Sequence, residues 1–367
     1  ATTAAEFKSA NAAHLVEAPD QAEEKRKDFA RANDWGQRFE SYSAALAAVH
    51  PMVSIIVVTY GNLELTRLCI DSLVHRTQYP RYEIIVVDNA STDGTPDYLR
   101  SAAAQHDNVR IILNDTNRGF AAANNQGLAI ASGDTLVLLN NDTVVPSGWL
   151  EGLLHHLTDA RIGLIGPVTN AVGNEAKVEP GYSDLSGLQR FADARRRQFA
   201  DKAFDIRMLA MFCVAMRRTV FDQIGPLDEN FGVGMFEDDD YSMRIKAAGL
   251  RVVCAEEVYI HHFGQAAFKT LIETGEYDPL WQRNHAYFES KWGTWKPHTH
   301  RAVDPRSSLP ASDPAIAVIV MAHGLRPTLA AAVRSVIDQG ANVEVVVVHS
   351  GEGDPEIYLR DAGLDVK

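Results

Sequence analysis

The sequence predicts an α/β fold built on a mostly parallel, helix-flanked sheet. Short β-branched runs alternate with helical patterns from Val53 to Asn140, and strands joined through helices of that length form right-handed parallel βαβ units. The same opening then returns late in the chain: PMVSIIVVTYG (51–61) is matched by PAIAVIVMAHG (314–324), and EIIVVDNAS (83–91) by EVVVVHSGE (344–352). Bulk composition agrees, since 367 residues with 46% apolar and 23% charged side chains can bury a large core in one or two domains.

Each element follows from its local pattern. Residues 1–50 are rich in Ala, Glu, Lys, Arg and Gln. Phe29, Trp35, Phe39, Tyr42, Leu46 and Val49 recur there mostly at spacings of three and four, an amphipathic helical segment that Pro51 ends. VSIIVVTY (53–60) reads as a strand covered on both faces. Next come a helix over 63–75, a strand over 83–91, a helix over 95–105, a short strand over 109–113, a helix over 121–131 and the strand TLVLL, which runs into Asn140, Asn141 and Asp142. Residues 163–182 read as loop-rich. Residues 184–204 read as a charged helix on which Arg195, Arg196 and Arg197 form a solvated face. Met208 to Met216 is apolar, an acid-led helix follows Phe236, and VYIHHFG (258–264) closes an apolar strand. Residues 293–313 read as a linker. The expected organisation is a helical segment (1–50), a main domain (51–292), that linker, and an incomplete second copy of the fold (314–367).

Several function classes are disfavoured. A formal charge of −13 argues against a protein whose main task is holding nucleic acid. No apolar run approaches the roughly 18 residues of a membrane span, and no signal-peptide pattern opens the chain. The three cysteines, Cys69, Cys213 and Cys254, are scattered and lack metal spacing, which reads as a reduced, cytoplasmic protein. Any contact with the inner face of a membrane would then be peripheral, through partners. The first residue is Ala, not Met, which reads as either an excised piece of a longer parent chain with additional domains or a processed start. The first turn, TYGNLELTR, has no G-x-G-x-x-G, which disfavours a dinucleotide cofactor, and no Gly-rich basic loop, which disfavours a nucleotidyltransferase.

Ligands of open parallel sheets bind beyond the carboxyl ends of the strands. Those ends carry Thr59 and Tyr60, Asp88 and Asn89, and Asn140, Asn141 and Asp142. Singly, each acid is as well explained as a helix cap; three polar strand ends together point to a site. NRGFAAANNQG (117–127) leads into a helix. Its Gly119 permits close backbone approach, while Asn117, Arg118 and Asn125 exceed what helix packing requires. FEDDDYSMRI (236–245) places four carboxylates, Glu237 to Asp240, in a first helical turn. Acids favour that position, yet crowded carboxylates also raise one another's pKa, which suits a general base. Arg244 stands four residues after Asp240, where an ion pair forms. His261 and His262 end the last apolar strand, and alternation turns one of them inward, toward a hard divalent ion shared with Asp142.

In order, VSIIVVTYGN, IIVVDNASTDGT, NRGFAAANNQG, LLNNDTVV, RRTVFDQIGPLDENFG, FEDDDYSMRIKAAG, IHHFG and NHAYFESKWG resemble family-2 glycosyltransferases of the GT-A fold, over about residues 51–292. The likeness is to their rhamnosyltransferase-like subgroup. It implies a Rossmann-like nucleotide-diphospho-sugar transferase sheet and an inverting transfer to a hydroxyl acceptor in polysaccharide or glycan synthesis. The implied donor is UDP- or dTDP-linked, and the implied cofactor is Mn2+ or Mg2+. By resemblance Asn140-Asn141-Asp142 stands where the family has D-x-D, so Asp142 is the metal ligand, with His262 and, in reserve, His261. Asn140 departs from that pattern. Thr59 and Asp88 would hold the nucleotide base, with Tyr60 and Asp93 nearby, and Asn117, Gly119, Asn125 and Asn141 would border the donor. Glu237 and Asp238 would face the acceptor, Asp238 as base. Met235 and the Gln265-Ala266-Ala267 run depart from close relatives. In the second copy His349 stands in the place of Asp88 and Ala322 in that of Thr59. The alternative is a non-catalytic nucleotide-sugar- or carbohydrate-binding module of a larger assembly.

Overall fold

A computed structural model describes residues 19–32, 34, 38–39, 42–43, 45, 49–264, 272, 274–300, 316–337, 343–362 and 364. The Gln265-Ala266-Ala267 run, Trp35, Leu46 and residues 301–313 of the expected linker lie outside them. The N-terminal segment contains helix α1 (Pro19–Ala32), which holds only Phe29 of the apolar positions whose spacing predicts a helix. Phe29, Phe39, Tyr42 and Val49 are exposed.

The β-branched runs become β1 (Val53–Thr59), β2 (Tyr82–Asp88), β3 (Val109–Leu113) and β4 (Thr135–Asn140), all parallel. Between them lie α2 (Leu63–Arg76), α3 (Thr95–Gln105) and α4 (Phe120–Ile130). Ile55, Val57, Ile84 and Val86 face Cys69, Ile70 and Leu73 of α2 and Leu99 of α3. Ile85 and Val87 face Ala123 of α4 on the other side. Burial on both faces explains why these strands carry no polar alternation. The expected α/β class is the one observed.

The turn after β4 contains a two-residue strand β5 (Thr143–Val144) and leads to α5 (Trp149–His156) and β6 (Ile162–Val168). The chain continues through α6 (Leu188–Gln198), β7 (Ala203–Asp205), β8 (Cys213–Arg217), α7 (Arg218–Ile224), α8 (Glu237–Ala247), β9 (Arg251–Tyr259), β10 (His261–His262) and α9 (Tyr277–Trp292). The main sheet has eight strands in the order β3-β2-β1-β4-β8-β6-β9-β7, with β8 antiparallel to both β4 and β6.

Two expectations are corrected here. All of Ile162–Val168 except its first residue lies within the stretch read as loop-rich, yet every residue of the strand is buried in the sheet. Its two glycines and Pro167 hide the strand pattern, and Gly166 is needed because the Cys213 carbonyl and Leu209 crowd its Cα. The arginine run is not one solvated face. Arg195 is 1% exposed and pairs with Glu256, and Arg196 donates to the Ser147 carbonyl, leaving only Arg197 in solvent. Glu256 and Glu257 are both buried where the β6–β9 register shifts, and the buried Glu256 requires a partner that the helix pattern alone does not disclose.

The chain divides into two compact units, residues 1–178 with 195–302, and residues 179–194 with 303–367. In the second, β11 (Ile316–His323) pairs in parallel with β12 (Val343–Ser350), accompanied by α10 (Pro327–Ile337) and α11 (Pro355–Asp361). Ala322 stands opposite His349 there, as Thr59 stands opposite Asp88 between β1 and β2.

Candidate active site

The carboxyl ends of β1, β2 and β4 lie side by side, so Thr59, Asp88 and Asn140 share one edge. Beyond that edge β5 pairs antiparallel with β10, setting His262 opposite Thr143 and His261 opposite Val144. This short ladder brings His262 Nε2 to 3.2 Å from Asp142 Oδ1. The ring is aimed by its surroundings. Nδ1 donates to the Ala171 carbonyl at 2.8 Å, which leaves Nε2 directed at Asp142. Asn170 clasps the His262 backbone, accepting from its N–H and donating to its carbonyl, each at 2.9 Å. Phe212 stacks on the imidazole at 5.0 Å.

Burial pushes His262 down, but the adjacent Asp142 carboxylate, with the Ala171 carbonyl, leaves it above the usual imidazole value. Asp142 is 6% exposed, and its Oδ1 accepts no hydrogen bond. A buried carboxylate oxygen without a donor, beside an imidazole nitrogen fixed from behind, is a pair that could hold a metal ion. Two ligands about 2.1 Å from one ion at a right angle stand about 3 Å apart, close to the separation seen. Among the described residues no cluster of three or more such side chains forms. His261 is half-buried, packs edge-on to Phe263, and is pushed down by burial and by His262. Asn141 ties the turn to α2, its Nδ2 donating to Thr66 Oγ1 at 2.9 Å.

On the β1–β2 edge, Thr59 Oγ1 donates to Asp88 Oδ1 at 2.8 Å, and Ser91 contributes both its hydroxyl and its N–H to the same carboxylate. Both Thr59 and Asp88 are buried, whereas Tyr60 is exposed. Asp93 accepts from the Leu63 N–H at 3.0 Å and from the hydroxyl and N–H of Thr95, so it braces the starts of α2 and α3. Burial raises Asp93, but these bonds outweigh it and hold the carboxyl below its usual range. Asn117 Oδ1 accepts from the Gly119 N–H at 2.9 Å. Asn125 bonds both the N–H and the carbonyl of Leu227, so it straps α4 to the loop after α7. Gly119, at φ +85°, is crowded by the Gly232 carbonyl, and the Phe120 N–H donates to the Val233 carbonyl at 3.2 Å. The glycine therefore joins the strand edge to the approach of the acid cluster.

That approach is strained, with Met235 and Phe236 at φ 76° and 73°. Asn284 of α9 holds it, its Nδ2 donating to the carbonyls of Gly234 (2.7 Å), Phe231 (2.8 Å) and Met235 (3.1 Å). Four acids then divide the work. Asp240, fully buried, pairs with Arg244 at 3.1 Å, confirming the expected i,i+4 bridge, and also with Lys291 at 2.5 Å and the Trp292 indole N–H at 2.8 Å. Asp239 lies 3.4 Å from His298. Asp238 Oδ1 accepts the Asp239 N–H, at 2.9 Å, and Glu237 Oε2 is buried without a hydrogen bond. Burial, and then the charge of the next acid, push Glu237 and Asp238 above the usual carboxylate range. Asp240 is thus tied to three partners, while the first two acids carry raised pKa values and fewer partners.

Sequence reasoning missed Asn170, Ala171, Phe212, Asn284, Lys291, Trp292 and His298. A signal for three of them was present in NHAYFESKWG, whose Asn284, Lys291 and Trp292 hold the approach and the acid helix. His298 lies in the stretch expected to be linker.

An open α/β sheet with polar groups gathered at its carboxyl edge has the architecture of a ligand-binding α/β protein. Residues 54–225 match the sequence model of glycosyl transferase family 2. Glycosyltransferase AglE of Haloferax volcanii is 28% identical over 211 residues, covering 57% of this chain and 66% of that protein. N-acetylglucosaminyl-diphospho-decaprenol L-rhamnosyltransferase of Mycobacterium tuberculosis is 26% identical over 240 residues, covering 58% and 76%. Among solved structures, the mannosyltransferase PcManGT from Pyrobaculum calidifontis, in complex with GDP-Man and Mn2+, aligns with a TM-score of 0.46 and 20% identity, covering 67% of this chain and 77% of that one. The chain spans only 28% of protein y4gI of Sinorhizobium fredii, which it matches at 26% identity, and 66% of AglE. The acid cluster, His262 and His298 all lie beyond the matched 54–225.

Proposed function

We propose that this chain is an inverting, divalent-metal-dependent glycosyltransferase that moves a sugar from a nucleotide-diphospho-sugar to a hydroxyl acceptor in polysaccharide or glycan synthesis. The observation that carries this reading is the unbonded, buried Asp142 Oδ1 facing His262 Nε2 at 3.2 Å. These two residues would hold the cation, which when bound neutralises the diphosphate leaving group. The donor base would lie against the β1–β2 edge, at Thr59, Asp88 and the exposed Tyr60. Asp238 takes the proton of the acceptor hydroxyl while that oxygen bonds to the anomeric carbon. The bond from that carbon to the diphosphate oxygen breaks on the opposite face, so the centre inverts. Glu237, in the same turn with an unbonded Oε2, would help to hold the acceptor. The main domain would extend over 51–292, followed by the opening of a second copy.

UDP- and dTDP-linked sugars should raise the melting temperature in the presence of Mn2+ or Mg2+ and be hydrolysed or transferred only then. Stabilisation without turnover, over a broad set of donors and acceptors, would make the chain a binding module instead.

A further inference from the structure

The ladder that brings His262 to Asp142 is two residues long on each strand, and a ladder that short is marginal when left alone. On the side facing β5, the Phe263 N–H donates to the Asp142 carbonyl at 2.9 Å. Among the described residues this sheet has only β5 and β10, so the other side of β10 meets no third strand. The Asn170 side chain takes that place. Its Oδ1 accepts from the His262 N–H and its Nδ2 donates to the His262 carbonyl, the pair of bonds a neighbouring antiparallel strand would make. The two contacts also settle which way the amide faces, since the N–H needs an oxygen and the carbonyl needs a donor. The Tyr259 hydroxyl donates to the same Oδ1 at 3.1 Å. Asn170 stands on a firm base: the Thr169 N–H donates to the Ala176 carbonyl at 3.0 Å, and the Thr169 carbonyl accepts from the Val178 N–H at 2.8 Å.

We infer that Asn170 is a positioning residue of the Asp142–His262 pair: by standing in for a third strand it fixes the His262 backbone and so sets the affinity of the pair for a divalent cation. This rests on the proposed reading of Asp142 and His262 as the residues that hold the ion. Both ends of the Asn170 amide are spent on His262, so the residue acts through the histidine and not on the ion. Without that amide the ring keeps the Ala171 carbonyl and the Phe212 stack, and β10 keeps the Phe263 bond. The outer N–H and carbonyl of His262 lose their partners, and the short strand is free to rotate. A small rotation carries Nε2 away from an ion held on Asp142, because the two ligands come from different strands.

The test measures Mn2+ binding to the full 367-residue chain with UDP present, read from the loss of the free-ion electron paramagnetic resonance signal. Asn170→Ala should weaken Mn2+ binding by about tenfold or more, while UDP binding without Mn2+ stays as in the wild type, which a general loss of structure would not spare. Tyr259→Phe removes the hydroxyl that helps aim the amide and should weaken Mn2+ binding in the same direction by a smaller factor. It carries the test if Asn170→Ala fails to fold, and unchanged binding in it would then overturn the inference. A folded Asn170→Ala that binds Mn2+ as the wild type does, where His262→Ala does not, would overturn the inference and leave the Asp142–His262 pair standing. If the wild type itself takes up no Mn2+ beside UDP, the metal reading falls and the inference falls with it.

Discussion

Asp238 and Asp240 share a helical turn and a charge, yet their surroundings give them different chemistry. Asp240 pairs with Arg244, Lys291 and Trp292, whereas Asp238 is met by backbone donors of its own helical turn and has a raised pKa. Asp238→Asn should therefore lower the transfer rate by roughly 10²–10⁴-fold while leaving donor binding within about twofold. The same substitution has a stability signature. A carboxyl whose pKa rises on folding favours the folded state below its ordinary pKa, and that contribution is lost as pH rises through the raised value. Removing the charge should raise the melting temperature by about 2 °C or more near pH 8 and change little near pH 4. A lower melting temperature near pH 8 would contradict the raised pKa. At the other corner, Asp142→Ala should abolish the Mn2+-dependent part of nucleotide binding, and His262→Ala should weaken it by about tenfold or more. Calorimetric titration of UDP with and without Mn2+ reads both, and unchanged metal dependence in Asp142→Ala would remove the metal assignment. The residue types were legible in the sequence because NND and EDDD are dense, local signals. The separate jobs of the four acids were not, since partners such as Lys291 lie some fifty residues away and only folding brings them in.

Among the elements, most strands and helices were legible because apolar runs and 3.6-residue periods are local. Ile162–Val168 was hidden because glycines and a proline replaced the β-branched residues that mark a strand. The two-residue strands β5 and β10, which join Asp142 to His262, are too short for any periodicity to show. A second long-range tie is Glu83. Its carboxylate accepts from Ser54 Oγ on β1, from Ser132 N and Oγ after α4, and from Arg110 on β3, all within 2.8 Å. Burial pushes Glu83 up, but the Ser132, Ser54 and Arg110 bonds outweigh it and hold the pKa down at about 2. A depressed carboxyl contributes stability above its ordinary pKa and loses it as pH falls through the folded value. Glu83→Gln should therefore cost about 2–4 kcal/mol near neutral pH, with the gap from wild type closing as pH falls from about 4.5 to 2. Urea melts at several pH values measure this, and a gap constant with pH would show that the carboxylate charge is not what ties these elements.

At the scale of the whole molecule, the two halves of the sequence repeat carry the same apolar positions with different fates. Ile56, Ile85 and Val87 are fully buried, and Val58 packs against the α4 side of the sheet. Gly127 of α4 sits directly on Ile56 and Val87. The matching positions of the second unit are Ile319, Met321, Val346 and Val348, exposed by 64%, 81%, 40% and 46%. Its small core, around Leu329, Val333 and Leu359, takes up only the opposite face, through Val320, Ala322, Val345 and Val347. A two-layer unit with one apolar sheet face in solvent is a sticky surface. The chain should therefore bind the dye 8-anilinonaphthalene sulfonate and associate increasingly with concentration. Serine at Ile319, Met321, Val346 and Val348 together should lower dye fluorescence by about half or more and shift sedimentation toward the monomer. Melting of the first unit and donor binding should not change, because these side chains take no part in its core. If the fourfold variant binds dye and associates as the wild type does, the association surface lies elsewhere on the chain.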